Sequence, residues 1–355
     1  MNFENFYKKY KKIVDRELDN FLTKEISGLD TKDEFVKYCY DLIKDYSKNG
    51  KRIRAVSLFL SYELTQGKKL NKVLPIALAI ELFHTYTLIL DDVMDEDEFR
   101  RNKPTIYKNL KQSYIKNFKE KKYSGSLFCR KSSRFAVSFS VILANITNIL
   151  SRKLILRSEF TGEVKIKALF LMNKADRQIF HGQIYDLLTE IKKPTEEQYL
   201  EMIKLKTGVL FGLSFDLGAL FSGTDETFRY RLKKFATNTA LSYQIKDDIL
   251  DISERKGHEQ FSDIKKGKYN LLMIKTLEKS KEEDRKFILK TYGIEKSDEY
   301  CKKIVQLMKH TSSIEYCMKL AKMKNSEVKD YLTNINVENK QMLYEFVDYM
   351  INRTN

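Results

Sequence analysis

The chain has 355 residues, with 65 Lys and Arg against 49 Asp and Glu, and a formal net charge of +16. This length allows one large domain or two ordinary ones around a substantial core. The four cysteines form no Cys-x-x-Cys pair and no paired histidine spacing, so the sequence indicates neither a disulfide framework nor a zinc site. The lysines are spread along the chain and do not form one block, so we expect no nucleic-acid partner.

The N-terminal stretch MNFENFYKKYKK is charged from its fourth residue and lacks the apolar centre of a signal peptide. We also expect no apolar run of about 18 residues, the length that would cross a membrane. These features predict a cytoplasmic protein without stable membrane insertion, with an organelle left open.

Apolar residues recur at helical spacing over residues 3–46, with a break at 28–31, which predicts two amphipathic helices. The sequence KNGKRIR follows and places Lys51, Arg52 and Arg54 before an apolar segment. Such a cluster suits a diphosphate, because arginine offers a bidentate fork and lysine a point charge. The alternative is a basic turn exposed to solvent. When the cluster is considered without the rest of the sequence, this alternative is favoured.

Residues 74–90 are almost all apolar and predict a buried central helix, which runs into the sequence LILDDVMDEDEFRR. Asp91 and Asp95 are one helical turn apart, so three carboxylates, with Asp92, reach one cleft. His84 lies two turns before Asp91 on nearly the same face. A lone buried histidine is usually a satisfied core residue, but this position favours a substrate contact.

The remaining chain continues as helices without strand-like alternation, interrupted by a surface loop or insertion expected at 111–133. A second D-D-x-x-D, in YQIKDDILD, places Asp247, Asp248 and Asp251 at the end of another apolar helix. We expect one all-α domain spanning residues 1–355, with comparable halves that each carry an aspartate cluster.

Six clustered carboxylates repel one another unless a cation lies between them. Oxygen ligands select magnesium, or manganese, and magnesium is held by few carboxylates together with substrate phosphates. The spacing lacks the glycine and final glutamate of a calcium-binding EF-hand, and no phosphate-binding P-loop motif occurs. The sequence therefore predicts a metal-bridged diphosphate substrate with an apolar tail.

These stretches resemble the trans-isoprenyl diphosphate synthase family, of the farnesyl and geranylgeranyl diphosphate synthase type. The resemblance rests on six collinear motifs between residues 50 and 270, which are GKRIR, HTYTLILDDVMDEDEFRRNKPT, GQIYDL, KTG, YQIKDDILD and SDIKKGKYN. It implies the isoprenoid synthase fold, a bundle of ten or more helices around a deep central cavity, and a homodimer.

The resemblance also implies roles for individual residues. About three magnesium ions would be held by the two aspartate motifs, which are Asp91, Asp92, Asp95, Asp247, Asp248 and Asp251. The allylic diphosphate would be bound by Arg100, Lys206 and Lys268. Isopentenyl diphosphate would be bound by Lys51, Arg54, His84 and Arg101. The reacting centre would be formed by Lys206, Thr207, Gln183 and Gln244, with Asp186 in support.

Product length in this family depends on the residues one turn before the first aspartate motif, here Tyr86 and Thr87. One bulky and one small residue imply a fifteen- to twenty-carbon product. Two departures stand out: RRNKPT has Asn102 where the family has glycine, and Glu259 lies where a cation is expected, with Lys256 earlier.

Three other functions remain open at this point. A class I terpene cyclase shares the fold and metal chemistry but usually keeps one D-D-x-x-D motif. A non-catalytic subunit of a heteromeric prenyl synthase tends to lose aspartates, and this chain has all six. A helical nucleic-acid-binding protein would leave the carboxylates unexplained, since they repel phosphate.

Overall fold

The computed structural model describes residues 1–253 and 260–352. Within them nearly all regular structure is helical, as the sequence predicts. The elements in the first half are α1 (Phe3–Ser27), α2 (Glu34–Ser47), α3 (Ile53–Leu64), α4 (Leu70–Met94), β1 (Phe99–Arg100), β2 (Lys103–Pro104), α5 (Ile106–Phe118), α6 (Lys131–Leu156) and α7 (Gly162–Leu188).

The second half begins with α8 (Glu196–Ile203), which passes through one π-helical turn (Lys204–Gly208) into α9 (Val209–Ser222). The helices after it are α10 (Glu226–Asp251), α11 (Ser262–Lys266), α12 (Leu271–Lys279), α13 (Glu282–Thr291), α14 (Asp298–His310), α15 (Ser313–Thr333) and α16 (Gln341–Asn352).

The chain forms two compact units, which we call the N-terminal and the C-terminal unit. The N-terminal unit contains Phe6–Phe59 and Lys69–Lys165, and the C-terminal unit contains Met1–Asn5, Leu60–Lys68 and Ile166–Asn355. This division into units does not test the expectation of one domain over residues 1–355, which stays a prediction.

The N-terminal unit is built around α4, which packs against α6. Pro75 is tolerated near the start of α4, and thirteen of the helix's residues are buried. Edge-on and tilted rings at Phe35, Phe135 and Phe139, with centroids 4.5–5.6 Å apart, join α2 to α6. This packing fixes the end of α4, where the first aspartate motif lies.

The C-terminal unit is built around α10, which packs against α9 and α15. All but the last residue of α9 are buried. Rings of Phe215, Phe235 and Phe346 meet within 5.5–6.2 Å and join α9, α10 and α16. The second aspartate motif therefore lies at the end of a helix that is packed on several sides.

The loop expected at 111–133 is shorter in the structure, because α5 continues to Phe118 and α6 begins at Lys131. The polar composition of 111–118 belongs to an amphipathic helix. Tyr114 packs against Phe118 and against Phe135 at 5.4 and 5.2 Å between ring centroids. Only residues 119–130 lie outside helices, and a Lys122–Arg130 bridge pairs that segment with itself.

We expected no apolar run of membrane-spanning length, and this expectation is wrong for three helical segments. By length and composition alone, Leu70–Met94, Lys131–Leu156 and Glu196–Ser222 are long and apolar enough to cross a membrane. Their most apolar windows are 67%, 44% and 83% buried within the protein. Burial against neighbouring helices accounts for the apolar character of the first and third.

Candidate active site

The carboxylates that end α4 form the first aspartate station, which we define as Asp91, Asp92 and Asp95. Asp92 is buried, and both of its oxygens accept hydrogen bonds from the protein. Arg100 donates from Nε to Oδ1 at 2.5 Å, and Tyr46 donates from its hydroxyl to Oδ2 at 2.6 Å. Asp92 is therefore fixed in place by a strand and by a neighbouring helix.

The Nη2 atom of Arg100 also lies 3.4 Å from Oδ2 of Asp91 and 3.6 Å from Oδ2 of Asp97. Burial raises the pKa of Asp92 to about 6, although Arg100 and Tyr46 act in the opposite direction. One guanidinium thus partly compensates several carboxylates.

A cation-rich group stands beside this station in the same unit. The pKa of His84 is lowered well below its usual value, first by burial and then by the positive charges of Arg54, Arg101, Arg100 and Arg52. The imidazole is therefore neutral, and its buried Nδ1 has no hydrogen-bond partner. Three of the four residues predicted for isopentenyl diphosphate, Arg54, His84 and Arg101, are thus brought together.

Lys51, the fourth residue, has its carbonyl held by the Tyr7 hydroxyl at 2.7 Å. Arg52 has a structural role: it is buried and bonds Asp15 at 2.7 Å and Glu81 at 3.3 Å. Glu81 also accepts the backbone N–H of Ala55, at the start of α3. These contacts fix the loop that carries Lys51.

The substitution at Asn102 leaves the expected turn intact. Arg101 and Asn102 form the two-residue loop between β1 and β2, with φ of 53° and 62°. Two positive φ values are the signature of a type I′ hairpin turn, which asparagine tolerates better than most residues. Asparagine thus serves in place of glycine, and Arg101 is held in a left-handed conformation.

The second aspartate station, Asp247, Asp248 and Asp251 on α10, has the same construction as the first. Buried Asp248 accepts from the Tyr199 hydroxyl at 2.6 Å and from Gln244 Nε2 at 3.1 Å. Gln244 in turn accepts from the Thr207 hydroxyl at 3.0 Å. A tyrosine from another helix therefore anchors the second aspartate of each motif.

The segment SDIKKGKYN adds a carboxylate that the sequence analysis did not assign. The N–H of Asp263 donates to Asp251 Oδ2 at 3.2 Å, and Asn270 donates to Asp263 Oδ2 at 2.8 Å. Burial, followed by the charge of Asp263, raises the pKa of Asp251 to about 8 and that of Asp248 well above its usual value. A group of buried acids with raised pKa values fits a divalent cation bound by oxygen ligands.

Two lysines predicted for the allylic diphosphate meet at Asp186, which is buried on α7. Asp186 Oδ2 accepts from Lys206 at 2.7 Å and from Lys268 at 2.9 Å. Burial raises the pKa of Asp186, but the two lysines outweigh it and the net shift is downward. Asp186 thus holds two ammonium groups together.

The π-helical turn that carries Lys206 and Thr207 lies against α7 at a glycine. A Cβ on Gly182 would lie 2.4 Å from the Lys206 nitrogen, so only glycine allows this approach. Gln183, the next residue, is buried and its Nε2 has no hydrogen-bond partner. π-helical turns are frequent at functional sites, because they expose backbone groups.

Tyr86 and Thr87 lie on α4 one turn before Asp91. Tyr86 is buried and packs edge-on against Phe83 at 5.2 Å between ring centroids. The Thr87 hydroxyl donates to the His84 carbonyl at 2.8 Å. Thr87 is four residues from Asp91 and therefore shares its helix face. Lys256 and Glu259 lie outside the described residues.

Sequence reasoning missed Tyr46, Tyr199, Asp263 and Gly182. Tyr46 and Tyr199 are far in sequence from the aspartates that they bond, so no local pattern indicates them. Gly182 lies in the motif GQIYDL and Asp263 in the motif SDIKKGKYN. Their place in these two motifs is the sequence feature that could have indicated a role at the site.

Comparison with known proteins places this geometry in one family. A family model described as polyprenyl synthetase matches residues 36–308. The chain is 30% identical over 315 residues to a short chain isoprenyl diphosphate synthase of Methanocaldococcus jannaschii, covering 86% of this chain and 85% of the relative.

Solved structures show the same fold. A geranylgeranyl pyrophosphate synthetase from Pyrococcus horikoshii superposes with a TM-score of 0.78 at 27% identity, covering 99% of this chain and 98% of that one. A geranylgeranyl pyrophosphate synthase from Corynebacterium glutamicum, complexed with isoprenyl diphosphate and magnesium, gives a TM-score of 0.89 at 20% identity, covering 98% and 99%. The second likeness shows the isoprenoid synthase fold. The chain belongs to the polyprenyl synthetase family.

Proposed function

We propose that this enzyme is a short-chain trans-prenyltransferase that condenses isopentenyl diphosphate with allylic diphosphates to give geranylgeranyl diphosphate, farnesyl diphosphate or both. The allylic primers are dimethylallyl, geranyl and farnesyl diphosphate. The observation that carries the proposal is the matched construction of two aspartate stations, each with its second aspartate anchored by a tyrosine.

We propose that about three magnesium ions bind at the two stations, with manganese as a substitute. Asp91, Asp95, Asp247 and Asp251 would supply the main ligands. Asp92 and Asp248, whose oxygens already accept protein hydrogen bonds, would hold the stations in shape. When bound, magnesium neutralises the diphosphate leaving group and so favours ionisation of the allylic carbon–oxygen bond.

The allylic diphosphate is bound by Arg100, Lys206 and Lys268 in this proposal. Asp186 keeps the two lysines close together, so they present fixed positive charge where negative charge develops on the leaving group. Such preorganised charge stabilises the transition state more than the substrate, because the leaving oxygen gains charge as the bond breaks.

Isopentenyl diphosphate is bound by Lys51, Arg54, His84 and Arg101. A neutral imidazole among arginines suits this role, because it adds a hydrogen bond without competing with the guanidinium groups. The unpartnered Nδ1 of His84 supports a ligand at this position.

The allylic bond breaks heterolytically, and its electron pair leaves with the diphosphate. The double bond of isopentenyl diphosphate then attacks the allylic cation, and a proton is lost to the departing diphosphate. Oxygen dipoles of Lys206, Thr207 and Gln244 stabilise the cation, and Gln183 lines the reacting centre beside them. Apolar walls exclude water, which would otherwise quench the cation as an alcohol.

Product length is set by Tyr86 and Thr87 as the floor for the growing tail. Thr87 shares the helix face of Asp91, and Tyr86 is fixed by Phe83. One small and one bulky residue support a fifteen- to twenty-carbon product.

The working form is a cytoplasmic homodimer with no nucleic-acid partner. An exposed apolar stripe on α7, whose successive members are four or ten residues apart and so lie on one helix face, supports a second copy of the chain as partner. Its members are Ile166, Phe170, Phe180, Ile184 and Leu188. Sedimentation of the purified chain tests this stoichiometry directly.

The catalytic proposal is tested by incubating the enzyme with magnesium, isopentenyl diphosphate and each primer, then separating the extracted products by chromatography. Fifteen- and twenty-carbon diphosphates are expected only when both substrates are present. Hydrocarbons formed from an allylic diphosphate alone would indicate a terpene cyclase. No product from any primer, with a folded sample, would contradict the proposal.

A further inference from the structure

A short hairpin joins α5 to α6 in the N-terminal unit, within the stretch where the sequence predicts a surface loop or insertion. Lys122 and Arg130 are paired across it in an antiparallel bridge. The N–H of Tyr123 donates to the Cys129 carbonyl at 2.9 Å and closes the tip beyond that pair. We call residues 119–130 the basic hairpin. Its backbone is thus hydrogen-bonded to itself at the base of the tip.

Side chains also hold the tip of the basic hairpin against α6. A Cβ on Gly125 would clash with the Tyr123 ring, so this ring lies directly over the glycine. The guanidinium of Arg134, on α6, stands 4.8 Å from the centroid of the same ring. At this tip the side chain of Leu127 is 85% exposed. The hairpin therefore presents an apolar side chain to solvent from a loop whose shape is fixed.

The basic hairpin and its junction with α6 carry much more positive than negative charge. Residues 119–134 include six cations and one acid. The cations are Lys119, Lys121, Lys122, Arg130, Lys131 and Arg134. The acid, Glu120, is engaged within the protein, because its carboxylate accepts hydrogen bonds from the Ser132 hydroxyl and from the N–H groups of Lys121 and Ser132. One carboxylate cannot balance six cations, so this surface attracts anions.

The placement of these cations costs the folded protein stability. Residues directly opposite each other in an antiparallel pair point their side chains to one face, so Lys122 and Arg130 stand side by side. Like charges in such a pair are destabilising. Arg130 and Lys131 also stand at the start of α6, whose first turn has no acid, although a helix N-terminus favours negative charge. An anionic surface would offset both costs.

An aliphatic tip between basic flanks fits the surface of an anionic bilayer. Lysine and arginine are attracted to anionic headgroups, and an exposed leucine gains free energy by entering the boundary between headgroups and acyl chains. Phe118, which ends α5 just before the hairpin, is 59% exposed and adds a second apolar side chain. Nucleic acid matches the charge but leaves Leu127 in water, because base stacking requires an aromatic ring or a guanidinium. A second copy of the chain would bring the same six cations to a symmetric contact.

We propose that the basic hairpin is a peripheral membrane contact, in which Leu127 enters the headgroup region of a bilayer that contains anionic phospholipids, and Lys122 and Arg130 bind its headgroups. The contact needs one side chain at a loop tip and no spanning helix, so the protein stays outside the bilayer. Binding is reversible and sensitive to salt, because most of the attraction is between exposed charges. This inference goes beyond the proposed function and does not rest on it.

The charges are tested by sedimentation of the full chain with vesicles of phosphatidylcholine, alone or mixed equally with phosphatidylserine. We expect binding to the mixed vesicles, binding to the neutral vesicles that is weaker by about tenfold or more, and release by salt. Lys122→Glu with Arg130→Glu should weaken binding to the mixed vesicles by about tenfold or more. The matched control is Lys302→Glu with Lys309→Glu, at two exposed lysines of α14, which changes the net charge equally and should bind as the wild type does.

The apolar tip is tested by Leu127→Ser, which should weaken binding to the mixed vesicles by about fivefold. Ile294→Ser, at an apolar side chain that is 77% exposed in the C-terminal unit, is its control and should have no effect. A polarity-sensitive fluorophore on Leu127→Cys, with Cys129→Ser to remove the neighbouring thiol, should report an apolar environment only with the mixed vesicles. Unchanged fluorescence would contradict entry of the tip into the bilayer.

Other results would overturn the membrane contact as a whole. They are no binding of the folded wild type to the mixed vesicles, equal binding to the neutral vesicles, and equal weakening by a test variant and its control. Loss of self-association in Leu127→Ser would assign the tip to a second copy of the chain. Binding of a single-stranded RNA in place of vesicles would assign the hairpin to nucleic acid. Circular dichroism of each variant shows whether it is folded.

Discussion

The Tyr46 hydroxyl donates a hydrogen bond of 2.6 Å to Oδ2 of Asp92, 46 residues away in sequence. Tyr199 makes the same bond, also 2.6 Å, to Asp248 across 49 residues. Each tyrosine stands on a helix that precedes the aspartate helix. The two stations are thus built alike, and each depends on a residue outside its motif.

This relationship predicts the effect of removing one hydroxyl. Tyr46→Phe deletes a hydrogen bond to a charged group, which corresponds to about 1.5–3 kcal/mol and a loss of roughly tenfold or more in turnover. Tyr199→Phe should behave likewise. Tyr230→Phe, at an exposed tyrosine on α10, is the control. Steady-state kinetics check the prediction, and unchanged turnover in both variants would show that these bonds do not position the aspartates.

The raised pKa values predict how the metal-free protein responds to pH. The folded pKa of Asp251, about 8, lies above its unfolded value, so the native state binds more protons between about pH 4 and pH 8. The free energy of unfolding should therefore fall as the pH rises through that window. Denaturant titrations at several pH values check this, and Asp251→Asn should make the fall smaller.

Magnesium should counteract the fall in the free energy of unfolding at high pH. Ligand carboxylates must lose their protons to bind the metal, so the stabilisation by magnesium should increase with pH, and binding should release protons. Calorimetry in two buffers of different ionisation enthalpy measures the released protons. A magnesium affinity independent of pH would argue against Asp251 as a ligand.

The contact at Gly182 predicts a loss of stability. In Gly182→Ala the new Cβ would meet the Lys206 backbone at 2.4 Å, so α7 and the π-helical turn must move apart. We expect a loss of about 1–3 kcal/mol in the free energy of unfolding, with reduced turnover. Gly162→Ala on the same helix meets nothing within 4 Å and should be neutral. Equal stabilities of the two variants would contradict the close approach.

The floor residues predict a shift in product length. Tyr86→Ala should lengthen the product, because a buried ring is replaced by a methyl group, and Thr87→Phe should shorten it. Met94→Ala, at the exposed end of the same helix, should leave the product distribution unchanged. Chromatography of the products measures the chain lengths. An unchanged distribution in both test variants would show that Tyr86 and Thr87 do not limit product length.

The sequence predicted the helical fold and the location of both stations, because apolar periodicity and clustered carboxylates are local patterns. The support that Asp186 gives to the reacting centre, which the family resemblance implies, stays a prediction, and the structure adds that Asp186 bonds Lys206 and Lys268. It did not predict Tyr46 or Tyr199, since contacts between distant helices leave no local pattern. The loop bounds failed at 111–118 because a polar, lysine-rich stretch conceals the few apolar contacts, such as Tyr114 with Phe135, that keep it helical.

Backbone conformation was a second limit of sequence reasoning. Asn102 replaces a family glycine, and only the structure shows that its left-handed φ of 62° preserves the turn. Arg52 and Arg54 likewise look equivalent in GKRIR. The structure separates them, because Arg52 bonds Asp15 and Glu81 within the protein, whereas Arg54 is the arginine whose charge lowers the pKa of His84 most.

The central claim is that both aspartate stations are needed for one condensation. The most direct measurement compares product formation from isopentenyl and geranyl diphosphate, with magnesium, by wild type, Asp91→Asn, Asp247→Asn and the exposed control Asp30→Asn. We predict that each station variant loses turnover by about a thousandfold or more, while it stays folded and the control stays active. Wild-type rates in either folded station variant would contradict the account.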